Sequence, residues 1–227
     1  MTREPEVLYE DTDILICYKP AGMAVQTRRL GQPDMETWLK NYRVRRKEAP
    51  YIGIIHRLDQ PVEGLVLFAK NQKAAARLSR QIQGHELGKY YYAIGSAATE
   101  QAALPPQSAT LTDYLGFDAG KNLGYIASAE AASGDRSVKK AVLDYRILGQ
   151  EGAECCFAIT LHTGRHHQIR LQLANLGYPL LGDPKYGGAE GQQIALCARR
   201  LEFEHPTTKK RMTWEIRPRN PLFDKYL

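Results

Sequence analysis

Tyr51-Ile-Gly-Ile-Ile-His-Arg-Leu-Asp-Gln-Pro-Val-Glu-Gly-Leu-Val-Leu-Phe-Ala-Lys70 is the stretch on which the reading of this chain turns. Two apolar runs, Ile52 to Ile55 and Leu65 to Ala69, have the length and composition of buried strands. Between them lies a polar turn, His56-Arg57-Leu58-Asp59-Gln60-Pro61, closed by Gly64. Pro61 has no N–H to give a ladder, so regular pairing is expected to lapse there. Asp59 is thus fixed at a strand end, with an imidazole and a guanidinium close by in sequence. Rigid flanks around a polar bend commonly carry chemistry. Taken alone, however, an Arg-x-Asp turn is more often a surface ion pair with an Asx-turn.

A second stretch shifts the balance: Leu161-His-Thr-Gly-Arg-His-His-Gln-Ile-Arg-Leu-Gln-Leu-Ala-Asn-Leu-Gly-Tyr-Pro-Leu-Leu-Gly-Asp-Pro-Lys-Tyr-Gly187. Together the two resemble the RluA-type family of RNA pseudouridine synthases. His56-Arg57-Leu58-Asp59 matches that family's His-Arg-Leu-Asp motif. Thr163 to Arg170 matches its Thr-Gly-Arg-x-His-Gln-Ile-Arg segment, and Gly182 to Gly187 its Gly-Asp-x-x-Tyr-Gly. Tyr9-Glu10-Asp11 followed by Lys19-Pro20-Ala21-Gly22 also looks like the start of such a catalytic domain.

The resemblance spans roughly the whole chain. It implies one α+β catalytic domain over residues 1–227, with a curved, mixed, mostly antiparallel sheet flanked by helices and an active-site cleft across its middle. It implies an enzyme that isomerises uridine to pseudouridine in ribosomal or transfer RNA. Family chains often carry a small RNA-binding domain ahead of this point; only Met1 to Glu6 precede it here, so none is expected. Asp59 takes the place of the catalytic aspartate, and Arg170 that of the basic residue paired with it. Arg165 competes for that pairing and is assigned to the loop or to RNA phosphate. Tyr91, in Lys89-Tyr90-Tyr91, matches the tyrosine set against the target base. His56, Arg57 and His167 are assigned to RNA contact, with bracing of the loop as the other role open to His56 and Arg57.

Two departures stand out. Where many members follow the aspartate with x-x-Thr-Ser-Gly, this chain has Gln60-Pro61-Val62-Glu63-Gly64. A carboxylate aimed into the site would oppose ionisation of Asp59, so Glu63 is expected to turn away or to meet an arginine. Leu196-Cys197-Ala198 replaces the usual Leu-His-Ala, which bears on RNA contacts near that strand rather than on the chemistry.

Composition narrows the partners. The chain has 227 residues, 43% of them hydrophobic, enough for one sizeable core or two small ones. No run of about 18 apolar residues and no signal-peptide core is present, so a cytosolic protein without a membrane partner is expected. Cys17, Cys155, Cys156 and Cys197 do not form a zinc pattern and read as reduced, buried thiols. The formal charge of +6 and the pI of about 9.1 suit a polyanion. The cations are clumped at Arg28-Arg29, Arg43 to Lys47, Lys139-Lys140, Arg199-Arg200 and Lys209 to Arg211, which favours nucleic acid. No amphipathic interface segment stands out, so a monomer is expected.

Along the chain, Val7 to Tyr9 and Ile14 to Tyr18 read as strands around an acidic turn. Pro33 and Asp34 can open a helix reaching Arg46. Asn71 caps a second helix whose face is Ala74, Ala75, Leu78 and Ile82, stopped by Gly84. Lys89 to Ile94 is a strand, with Tyr91 facing away from Tyr90 and Tyr92. Residues 96–137 suggest strands joined by loops. Val138 to Leu148 and Cys155 to Leu161 are further strands. From His166 to Leu176 the apolar spacing predicts a helix ended by Gly177, with His166 and Arg170 on one face. Ile194 to Cys197, Leu201 to Phe203 and Met212 to Ile216 close the chain as strands.

The chemistry follows from the bonds. Pseudouridine formation breaks the bond from ribose to uracil N1, turns the base and rejoins it through C5. No redox change and no outside group is needed, and no Gly-rich phosphate loop or dinucleotide fingerprint is present, so no cofactor is expected. A carboxylate must act at C1′ or C2′, and the target nucleotide must be flipped out of its stack. Two rival readings stand beside it: a metal-dependent nuclease using His56, Asp59, His162, His166 and His167, and a non-catalytic RNA-binding protein on the same fold. No carboxylate pair has a two-metal spacing, and His166 and His167 on a helix would diverge by about 100°, so no metal is expected.

Overall fold

The structure is a computed structural model that describes residues 4–29, 31–99 and 104–227. In chain order its elements are β1 (Glu6–Glu10), β2 (Ile14–Lys19), α1 (Met35–Arg45), β3 (Gly53–Ile54), β4 (Glu63–Ala69) and α2 (Gln72–Gln83). There follow β5 (Gly88–Ser96), β6 (Ser108–Asp118), β7 (Leu123–Ala127), α3 (Ala129–Gly134), β8 (Lys139–Glu151) and β9 (Glu154–Leu161). The chain ends with α4 (Gln168–Asn175), β10 (Leu196–Glu204) and β11 (Arg211–Glu215). Met1–Gly88 with Cys197–Pro218 form one compact unit, and Lys89–Leu196 with Arg219–Leu227 a second.

The first unit is built on β4. All seven of its residues are buried, as the apolar run predicts. β2 pairs antiparallel along its whole length, from Ile14 opposite Ala69 to Lys19 opposite Gly64. β1 lies outside β2. β10 runs parallel to the start of β4, Cys197 opposite Glu63, and carries β11 antiparallel on it. That parallel pair makes the sheet mixed. Gly64 has φ +133°, and a Cβ there would lie 2.4 Å from the Ala198 carbonyl oxygen. Only glycine lets β10 approach so closely.

Helix α2 covers one face of this sheet. Asn71 accepts the N–H of Ala74 at 2.8 Å as an N-cap, and Gly84 closes the other end. Ala74 and Leu78 pack with Ile14, Ile16, Leu65, Leu67 and Phe203. Asp34 caps α1 in the same way, its Oδ1 accepting from Thr37 N–H at 2.7 Å.

The second unit is wholly antiparallel in its strands, in the order β5-β9-β8-β6-β7. Tyr91 lies opposite Ile159. Phe157 packs edge-on between Tyr145 and Tyr178, with ring centroids 5.3 and 6.0 Å away. Both units mix strands and helices without regular alternation, which is the α+β class expected.

Two local expectations are corrected. The first apolar run forms only the two-residue β3 rather than a strand through Ile55. The next residue of β4, Leu67, gives its N–H to His56 Nε2 at 3.1 Å, so a side chain takes the place of a third rung. Helix α4 begins at Gln168, not His166. His167 has φ +51°, a left-handed conformation that no α-helix can run through. His166 therefore lies off the helix and shares no face with Arg170.

Candidate active site

In the first unit the His56-to-Pro61 turn stands at the head of β4. Leu58 is 7% exposed and anchors it. Asp59 is half-buried and Arg57 exposed. The Arg57 guanidinium donates to Gln26 Oε1 at 2.8 Å. Because His56 Nε2 accepts the Leu67 N–H, its ring proton sits on Nδ1, and the residue acts as a brace between turn and strand.

Beneath the turn lies a residue that sequence reasoning passed over. Lys19, the last residue of β2, is fully buried. Its ammonium donates to three backbone carbonyls: Met23 at 2.6 Å, Pro20 at 3.1 Å and Gln60 at 3.1 Å. Three donors meet three acceptors. The Gln60 carbonyl belongs to the residue after Asp59, so Lys19 ties the turn to the sheet directly. Burial lowers its pKa to about 7, against the upward pull of the Asp59 and Glu63 carboxylates. The signal in the sequence was Lys19 itself, an ionisable residue ending an apolar strand.

Glu63 meets a tyrosine rather than an arginine. It is 2% exposed, and its Oε2 accepts the Tyr18 hydroxyl at 2.6 Å. The carboxylate that replaces a hydroxyl residue is thus housed inside the unit, beside Tyr18 and within the field of Lys19.

In the second unit Arg170 is 5% exposed, on α4. It makes a two-pronged pair with Asp183, Nε to Oδ2 at 2.7 Å and one Nη to Oδ1 at 2.6 Å. The guanidinium also lies 5.0 Å over the Tyr186 ring. Asp183 and Tyr186 both come from the Gly-Asp-x-x-Tyr-Gly segment. Neither was singled out from sequence, although that segment was quoted. The pair uses two of the five arginine N–H donors.

His167 is 9% exposed, and its Nδ1 lies 2.6 Å from the Tyr186 hydroxyl. That hydroxyl accepts the N–H of Gly124 at 3.0 Å. Burial foremost, then the charges of Arg170, His166 and Lys185, depress the His167 pKa to about 2. It is a neutral packing group at working pH and offers no cation to a phosphate. Arg165 is exposed; its Nε donates to the Lys140 carbonyl at 2.9 Å, and its own N–H goes to Gln168 Oε1 at 3.0 Å. Tyr91 is 6% exposed. Among the described residues no group of three or more His, Cys, Asp or Glu side chains is arranged to hold a metal ion, and no helix is long and apolar enough to cross a membrane.

Each unit therefore carries one of the two motif segments that resemble RluA-type synthases, with Asp59 in the first and Arg170 in the second. Residues 13–175 match the RNA pseudouridylate synthase family. The chain belongs to that family. This synthase is 33% identical to ribosomal large subunit pseudouridine synthase D of Pseudomonas aeruginosa, over 99% of this chain and 70% of the relative. It is 31% identical to an uncharacterised RNA pseudouridine synthase of Bacillus subtilis, over 90% of this chain and 66% of that one. It is 29% identical to tRNA pseudouridine synthase C of Haemophilus ducreyi, over 92% and 89% respectively. Among solved structures, human RNA pseudouridylate synthase domain containing 1 matches with a TM-score of 0.76 at 19% identity, over 99% of this chain and 86% of that one. Domain containing 4 of the same human series matches at 0.73 and 18%, over 94% and 89%. The synthase shares their fold.

Proposed function

We propose that this chain isomerises uridine to pseudouridine in ribosomal or transfer RNA, with Asp59 as the carboxylate that acts at the ribose. The observation that carries the reading is the mounting of Asp59. It is half-buried on a turn pinned through the Gln60 carbonyl to a buried ammonium, at the head of a fully buried strand. A group held so, yet open to solvent, meets the demand for a positioned nucleophile or base. Arg170 is the cation that serves the reaction, and Tyr91 the ring set against the target base. Arg57 and Arg165, both exposed, are the RNA-contacting cations. Lys19 and His56 are positioning residues that act through the turn. Relatives named for ribosomal large subunit RNA and for tRNA support RNA as the substrate class.

The test is a pseudouridine map of transcribed large-subunit ribosomal RNA and tRNA after incubation with purified protein. Wild type should convert a defined uridine. Asp59→Asn should lower the single-turnover rate by at least about a thousandfold, as loss of an essential catalytic group does, with RNA affinity held within a few-fold. An Asp59→Asn protein as fast as wild type would sink the assignment. Wild type that binds RNA and converts nothing would leave the non-catalytic binding protein as the better reading.

A further inference from the structure

The second unit carries an aromatic patch that the chemistry does not use. Phe117, on β6, is 39% exposed. Strand alternation puts it on the same face as Leu115, which is buried against Ala141 and Leu171. Ile126, opposite Leu115 in register, is 36% exposed. The two thus extend a small core out into solvent. The His166 ring meets Phe117 edge-on, with centroids 4.2 Å apart and planes at 63°, and is itself exposed. This is a use for His166 that its helix-face assignment had hidden.

The patch is rigid and cationic. Gly124, opposite Phe117 in register, gives its N–H to the Tyr186 hydroxyl, the same tyrosine that lies under Arg170. The hairpin is therefore bonded to the Arg170 cradle within one unit. Lys121, Lys139, Lys140 and Arg165 are all exposed. Lys139 lies opposite Leu115 on β8, and Arg165 is braced on the Lys140 carbonyl. Asp118 accepts from Gly120 and Lys121 N–H; Asp135 accepts from Ser137 N–H and also lies in the field of Lys139.

We propose that the Phe117–His166 face is a stacking platform for an unpaired base of single-stranded RNA, its phosphates met by Lys139 and Arg165. The RNA class rests on the synthase reading; the platform rests on the exposed ring and the cations beside it. A base gains stacking energy on any open aromatic face regardless of sequence, and cations beside that face track the backbone. An apolar protein partner would have no use for Lys139 on the same face or for Arg165 next to His166 in the chain.

The experiment is fluorescence anisotropy with a fluorescein-labelled oligouridine of about 12 nucleotides. Phe117→Ala and Phe117→Leu should each weaken binding by about 5- to 100-fold, and Phe117→Trp should retain it. A phosphate chain of the same length without bases should bind wild type and Phe117→Ala alike. Equal oligouridine affinity for wild type and Phe117→Ala, or no binding by wild type, overturns the platform. So does a Phe117→Leu protein that binds as wild type, since apolar area rather than stacking would then suffice. A change confined to sedimentation behaviour would assign the patch to a second copy of this chain and also overturns it. The synthase reading is scored separately by conversion with Asp59→Asn: either result can fail while the other stands.

Discussion

The Asp59 turn of the first unit and the Arg170 cradle of the second hold opposite charges by opposite means. Asp59 is half-open, and the ionic group assigned to its support, Lys19, is fully buried and reaches the turn through backbone carbonyls. Arg170 is itself buried and is gripped directly by Asp183 and covered by Tyr186. A group held through backbone can be disturbed without unfolding anything, because the supports define geometry. A buried cation gripped in a two-pronged pair leans on that carboxylate for its place in the fold. Perturbations around Asp59 should therefore surface in the rate, and perturbations around Arg170 in stability.

The largest contrast comes from the cradle. Asp183→Ala strips two charge-assisted bonds from a buried guanidinium and should cost about 3–5 kcal/mol of unfolding free energy, read from urea denaturation of the whole chain. Arg57→Ala, the matching truncation beside Asp59, removes an exposed cation bonded to Gln26 and should stay within about 0.5 kcal/mol. Equal costs would erase the distinction. A subtler contrast comes from Lys19→Met, which keeps the stem and removes the ammonium. Loosening the turn should lower kcat by about 10- to 100-fold, the scale of a misplacement near 1 Å. KM for RNA should hardly move, since a fully buried Nζ cannot touch RNA. A rise in KM with kcat unchanged would mean that Lys19 shapes RNA binding instead.

Legibility in the sequence followed the range of the forces involved. The Asn71 cap, the Gly84 stop and the buried run of β4 were readable because each is set by neighbours a few residues away. The turn bearing Asp59 was readable for the same reason. The Lys19 anchor was not, because its partners are carbonyls, which every residue has and no residue type announces. The housing of Glu63 depends on Tyr18, a strand away, while charge alone points to an arginine partner or to a turn away from Asp59. The start of α4 was misread because apolar spacing ignores φ: the periodicity runs through His167, while its left-handed backbone does not. The same error hid the contact between His166 and Phe117.

The smallest effect at neutral pH is the one that grows with acid. His167 is buried beside Tyr186 with its pKa depressed to about 2, below the ordinary value near 6.5 that the unfolded chain retains. Between those values the unfolded chain binds a proton that the folded chain refuses. Stability is thus whole above about pH 6.5 and falls as the pH drops, by about 1.4 kcal/mol per unit, or about 2 kcal/mol by pH 5. His167→Phe removes the titrating group, so its unfolding free energy should decline less steeply between pH 7 and pH 5 than that of wild type, by about that amount. The variant also loses the bond to Tyr186, which lowers its stability at every pH and leaves the difference in slope untouched. Parallel slopes would mean that the folded chain takes up the proton, that His167 is a cation within reach of Arg170, and that the cradle is looser than the grip of Asp183 implies.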